Sequence, residues 1–87
     1  MQVTLGKEGL EKSWQDKLEE TEECVHCGAE SRIGFVAHES YQDEPDGPFV
    51  CDLHHNEKGS MWLHDSCCVA VYFCTECLKT TAIYNQA

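Results

Sequence analysis

Four pairs of soft ligands, each with two residues between its members, constrain this chain more than anything else in it: Cys24-x-x-Cys27, Cys51-x-x-His54, His64-x-x-Cys67 and Cys74-x-x-Cys77. Two intervening residues let a tight turn aim both donors at one cation, and four thiolate or imidazole donors close a tetrahedral structural site. Cys24, Cys27, Cys74, Cys77, Cys51, His54, His64 and Cys67 thus account for two zinc ions, and the outer cysteines alone for one. At 87 residues the chain has a surface-to-volume ratio that leaves a purely apolar core marginal. Bound metal is one of the staples that make up the deficit.

Seven cysteines would also suit a disulfide framework, so redox compartment matters. Residues 1–14 hold no apolar run of the kind a secretion signal needs, and no stretch approaches a membrane span. We therefore expect a cytoplasmic protein with reduced thiols and no membrane partner. Six cysteines and two histidines complete two sites, which leaves Cys68 as a spare thiol expected to tolerate replacement by Ser. Either Cys68 or His55 could also stand in for a neighbouring ligand. His26, inside the first pair, and His38, in a strand, are expected to be bystanders.

The formal net charge is -10, with only six Lys and Arg. Those cations, Lys7, Lys12, Lys17, Arg32, Lys58 and Lys79, are scattered along the chain. Nucleic acid is disfavoured as a partner, because its recognition draws on clustered cations neutralising phosphates. A protein partner with a basic segment is the better electrostatic match, although an acidic surface also serves solubility alone.

Two regions differ in pattern. In residues 1–23 Leu10, Trp14 and Leu18 fall at four-residue steps and Glu8 stands four residues before Lys12, which predicts one acidic amphipathic helix. Trp14 would dock it on the rest of the chain or offer it to a partner groove. Residues 24–87 form the predicted zinc-binding domain, with short strands and turns. Residues 32–38 alternate as a strand, Glu44-Pro45-Asp46-Gly47-Pro48 supplies a turn, and Phe49-Val50-Cys51 would return as its hairpin partner. Residues 69–73 and 80–84 flank the last ligand pair as two more strands. The expected fold class is a small metal-stabilised α+β domain, an N-terminal helix plus short antiparallel β-hairpins.

Cys24-Val25-His26-Cys27-Gly28 and Tyr72-Phe73-Cys74-Thr75-Glu76-Cys77, each followed by a strand, resemble the two knuckles of a zinc ribbon. Leu78 stands where the second knuckle of a ribbon commonly has glycine. Trp62-Leu63-His64-Asp65-Ser66-Cys67, followed by the last knuckle, resembles the closing half of a PHD finger, a cross-braced fold like the RING domain. That resemblance implies one ion on Cys24, Cys27, His64 and Cys67 and another on Cys51, His54, Cys74 and Cys77. A nested order instead joins Cys24, Cys27, Cys74 and Cys77 on one ion and Cys51, His54, His64 and Cys67 on the other. Spacing alone allows both, and we favour the nested one.

A non-catalytic zinc module, working in protein interaction or regulation, is the function these features fit best. Two alternatives belong to other classes. His55-Asn56-Glu57 ahead of Cys74-x-x-Cys77 resembles the zinc-deaminase signature, in which the glutamate shuttles protons, but Phe73 replaces its proline. Paired Cys-x-x-Cys knuckles also resemble rubredoxin, which implies one redox-active iron. The histidine-containing pairs favour zinc, since imidazole suits a mixed zinc site.

Overall fold

Short runs of β-branched and aromatic residues favour pleated backbone, and the chain builds a five-stranded antiparallel sheet from them. In the computed structural model, residues 2–13, 17–38 and 67–86 are described. The strands are β1 (Gln2–Leu5), β2 (Thr21–Glu23), β3 (Glu30–His38), β4 (Cys67–Cys74) and β5 (Thr80–Gln86). Their order is β1-β3-β4-β5, with β2 pairing the same edge of β3 as β1. Thr4 and Leu5 lie opposite Val36 and Phe35 at one end of that edge, and Glu22 and Glu23 lie opposite Ser31 and Glu30 at the other.

The expected N-terminal helix is not formed. Residues 2–23 supply β1, β2 and one short 3-10 helix, Gly6–Glu11, so the described chain is an antiparallel sheet with no α-helix, and the α+β expectation is corrected to all-β. Two physical reasons account for it. Gly6 and Gly9 each lower helix stability by about 1 kcal/mol relative to Ala, and Gly6 adopts a left-handed φ of 64°. An isolated short helix is marginal in water, whereas ladder pairing with β3 satisfies the same backbone groups. The four-residue spacing does survive in part, because Leu10 and Leu18 both enter the core. Trp14 lies outside the described residues.

That core sits on one face of the sheet, where Leu10 and Leu18 cover Val36, Cys68, Ala70 and Tyr72, with Ile33 and Ile83 packed at its margin. Residues 17–20 are tied over it by the Tyr72 hydroxyl, which donates to the Glu19 carbonyl at 2.6 Å, and by the Ile33 N–H, which donates to the Glu20 carbonyl at 3.0 Å. Gly9 is needed here, since a Cβ would stand 2.8 Å from Val36 Cγ2 and 2.9 Å from the Thr4 carbonyl.

Strict alternation would put Ile33, Phe35 and Ala37 on one face, but the ladder slips between Ile33 and Phe35. Gly34 is the extra residue of this bulge, and the Phe73 ring lies over it, within 2.2 Å of where a Cβ would be. Ile33 consequently shares the core side with Val36, while Phe35 turns to the other face beside Phe73, ring centroids 6.4 Å apart. Both edges of β3 are taken by described strands. The run 49–51, expected as its hairpin partner, lies outside the described residues.

Cys68, which takes no part in the four-cysteine cluster, belongs to the core. It is fully buried, with a relative exposure of 0%. We therefore expect Cys68→Ser, which puts a strongly hydrated hydroxyl where a weakly polar thiol packs in an apolar core, to lower stability by about 1–3 kcal/mol, and Cys68→Ala to cost less. Urea melts of the two variants check the ranking, and an unperturbed Ser variant would refute it.

Candidate metal centre

Both outer Cys-x-x-Cys pairs occupy the turn of a β-hairpin, one between β2 and β3 and the other between β4 and β5. Each turn is built the same way. The first cysteine closes the hairpin through its own N–H, Cys24 to the Ala29 carbonyl at 2.8 Å and Cys74 to the Lys79 carbonyl at 3.0 Å. The residue after the second cysteine turns the chain back in the left-handed region, Gly28 at φ 79° and Leu78 at φ 62°. Backbone N–H groups then point at the first sulfur. His26 donates to Cys24 Sγ at 3.4 Å, and Glu76 and Cys77 donate to Cys74 Sγ at 3.3 and 3.4 Å.

Leu78 pays for that geometry with strain, because a left-handed conformation costs an L-residue about 1–2 kcal/mol that glycine escapes. Its side chain is 80% exposed, so little burial offsets the cost. Leu78→Gly should raise stability by about 1 kcal/mol, visible as a higher thermal midpoint of the metal-loaded protein. A lower midpoint would mean that the leucine makes a stabilising contact.

Each knuckle is also fastened to the opposite hairpin. Val25 N–H donates to Thr81 Oγ1 at 3.1 Å and His26 Nε2 donates to the Thr80 carbonyl at 3.0 Å, both on β5. Thr75 returns the arrangement, donating to the Glu30 carbonyl of β3 through its N–H at 3.2 Å and its hydroxyl at 3.1 Å. Sequence reasoning left out Thr75, Thr80 and Thr81, since nothing in their spacing distinguishes a clamp from an ordinary strand or turn threonine. His26 does not join the sulfur cluster, and its ring braces the turn.

The outcome is a cluster of Cys24, Cys27, Cys74 and Cys77, whose sulfurs all lie within 4.8 Å of one another. Cys24 Sγ is 3.7 Å from Cys77 Sγ, and Cys27 Sγ is 3.5 Å from Cys74 Sγ. A tetrahedral zinc with Zn–S bonds of about 2.3 Å would hold its sulfurs about 3.8 Å apart, so the donor set matches in number, chemistry and spacing. These four thiols make one candidate metal centre. No family model matches the chain, and the comparisons with curated proteins and with solved structures found no match.

Electrostatics divides the four. Burial alone would raise the Cys24 thiol, but the N–H groups of His26 and Cys27 and the thiols of Cys77 and Cys74 outweigh it and bring the pKa down to about 6. Cys74 is likewise lowered, first by the Cys77 N–H and then by that of Glu76. Cys27 goes the other way. The Ala29 N–H favours its thiolate, yet the Cys74 sulfur, desolvation and the sulfurs of Cys77 and Cys24 push it up to about 12. Without a cation the cluster resists collecting four negative charges, and a bound divalent ion removes that resistance.

The cluster groups the ligand pairs as the nested order does. Of the remaining predicted ligands, Cys51, His54 and His64 lie outside the described residues, and only the backbone of Cys67 is described, at the start of β4. His38 is buried in β3, its Nε2 2.8 Å from Thr4 Oγ1. His55 and Glu57, the deaminase-like pair, also lie outside the described residues.

Proposed function

We propose that this protein is a non-catalytic zinc module of zinc-ribbon type, in which the metal joins two β-hairpins into a platform that another protein binds. One observation carries the proposal: two knuckles far apart in sequence deliver four cysteine sulfurs within 4.8 Å of one another. Four protein donors complete a tetrahedral zinc and leave no position for a reacting water, which is the arrangement of a structural rather than a catalytic site. A second zinc on Cys51, His54, His64 and Cys67 belongs to the same proposal, as does a cytoplasmic setting that keeps the thiols reduced. For contact surface, Val25 and Leu78 stand beside the knuckles with 73% and 80% exposure, and the acidic charge favours a basic partner segment.

An all-sulfur donor set equally suits iron, so rubredoxin-like electron transfer is the second reading. Elemental analysis of the purified protein separates them. We expect zinc, one ion per chain for the outer cysteines alone or two with the histidine-containing pairs. One iron with a reversible one-electron couple would replace the structural role with electron transfer, and a chain purified without stoichiometric metal would remove both.

A further inference from the structure

Ser31 is the anomaly beside this centre. It lies on β3 directly opposite Cys74 of β4 on one side and Glu22 of β2 on the other. Its relative exposure is 0%, and its hydroxyl is the one buried side-chain polar group without a hydrogen-bond partner among the described residues. Buried hydroxyls that bond nothing are costly, so a native one calls for an explanation. A neighbouring residue type with no polar atom, such as alanine, would fill the same place without the cost.

Cross-strand partners in an antiparallel pair project to the same face with Cβ atoms about 4.5–5.5 Å apart. Ser31 and Cys74 are such a pair, and Cys74 is almost as buried, at 2% exposure. Cys24, the other deeply buried sulfur of the cluster, follows β2 two residues beyond Glu22 and so belongs to the same side of the ladder. Turning the short serine side chain about its Cα–Cβ bond re-aims Oγ toward the cross-strand sulfur, and a metal-bound thiolate accepts hydrogen bonds that a thiol does not attract as strongly. We propose that the Ser31 hydroxyl donates to the Cys74 thiolate once the centre holds its metal, making Ser31 a positioning residue that tightens metal binding. This inference rests on the four-cysteine centre being a metal site. It supplies Cys74 with a third donor, after the N–H groups of Glu76 and Cys77.

Ser31→Ala tests the proposal through the sign of its effect. A hydroxyl with no role only burdens the fold, so its removal would leave zinc affinity unchanged or tighter. A hydroxyl that supports the thiolate gives the opposite, and we expect chelator competition to show zinc bound about tenfold more weakly, the usual effect of losing an outer-shell partner. In the cobalt-substituted protein the sulfur-to-metal charge-transfer band should move to lower energy, because a thiolate that loses a hydrogen bond gives up its electron more readily. Glu22→Gln should change neither quantity. Equal or tighter zinc binding in Ser31→Ala, an unmoved cobalt band, or a Glu22→Gln variant that mimics Ser31→Ala would each overturn the assignment. Wild-type protein loaded with cadmium-113 provides a readout that needs no variant: the Ser31 hydroxyl proton should exchange slowly and couple to the metal through Cys74. A rapidly exchanging, uncoupled proton would overturn the proposal even with the metal bound, whereas a wild-type chain that takes up no metal would overturn the centre itself.

Discussion

Cys74→Ser is expected to abolish metal binding at the outer centre and unfold most of the sheet. Cys74 ends β4, accepts N–H bonds from Glu76 and Cys77, and closes its hairpin through its own N–H to Lys79. Serine at this position offers a far weaker ligand than a thiolate, so the chain forfeits a binding free energy that is also folding free energy, on the order of 10 kcal/mol for a structural zinc. Few small domains have that much stability in reserve. Exhaustive chelation of the wild type should have the same consequence, and readdition of zinc should reverse it. Circular dichroism or amide NMR spectra during a zinc titration provide the measurement. A Cys74→Ser protein that stays ordered and still binds one metal through its cysteines would contradict the assignment of the centre.

Tyr72→Ala should be the most damaging change away from the cysteine cluster. The ring is fully buried among Leu10, Leu18, Val36 and Ala70, and its hydroxyl secures residues 17–20 through Glu19. Truncating a buried aromatic to alanine costs about 3–5 kcal/mol, and Tyr72→Phe, which removes only the hydrogen bond, should cost about 1 kcal/mol. The phenol also carries a pH signature. Burial first, then the charges of Glu22, Glu19 and Cys68, push its pKa from 10.0 up to about 12. The neutral phenol is thus favoured in the folded chain. Its contribution is fully present below pH 10, and it is lost as pH rises from 10 through 12, where the unfolded chain has released the proton and the folded one still holds it. Denaturation midpoints in that window should fall more steeply for the wild type than for Tyr72→Phe. Parallel curves would show that another group governs alkaline unfolding.

How far the sequence could be read differed between the site and the scaffold. The ligands of the outer centre were visible because metal chemistry restricts donors to a few residue types at a short fixed spacing, and β4 and β5 were visible because β-branched and aromatic residues crowd around that spacing. The N-terminal segment misled. The four-residue step of Leu10, Trp14 and Leu18 describes the apolar stripe of a helix, but for Leu10 and Leu18 it equally describes two points where a non-helical chain dips into a core. Gly34 also broke the simple alternation of β3, since a bulge depends on a ring from the adjacent strand lying over it.

By itself, the amino-acid sequence determined that the outer cysteine pairs would sit in tight turns, with both sulfurs of a pair able to reach one cation. Those properties are local: they follow from two or three neighbouring residues and the reach of a side chain. Tertiary structure alone decided that residues 2–23 would join the sheet rather than coil, that Cys68 would be core, and that Ser31 would be sealed beside Cys74. Such outcomes depend on which strand edges find partners and which face is covered, and backbone hydrogen bonds and buried area are settled only when distant parts of the chain meet.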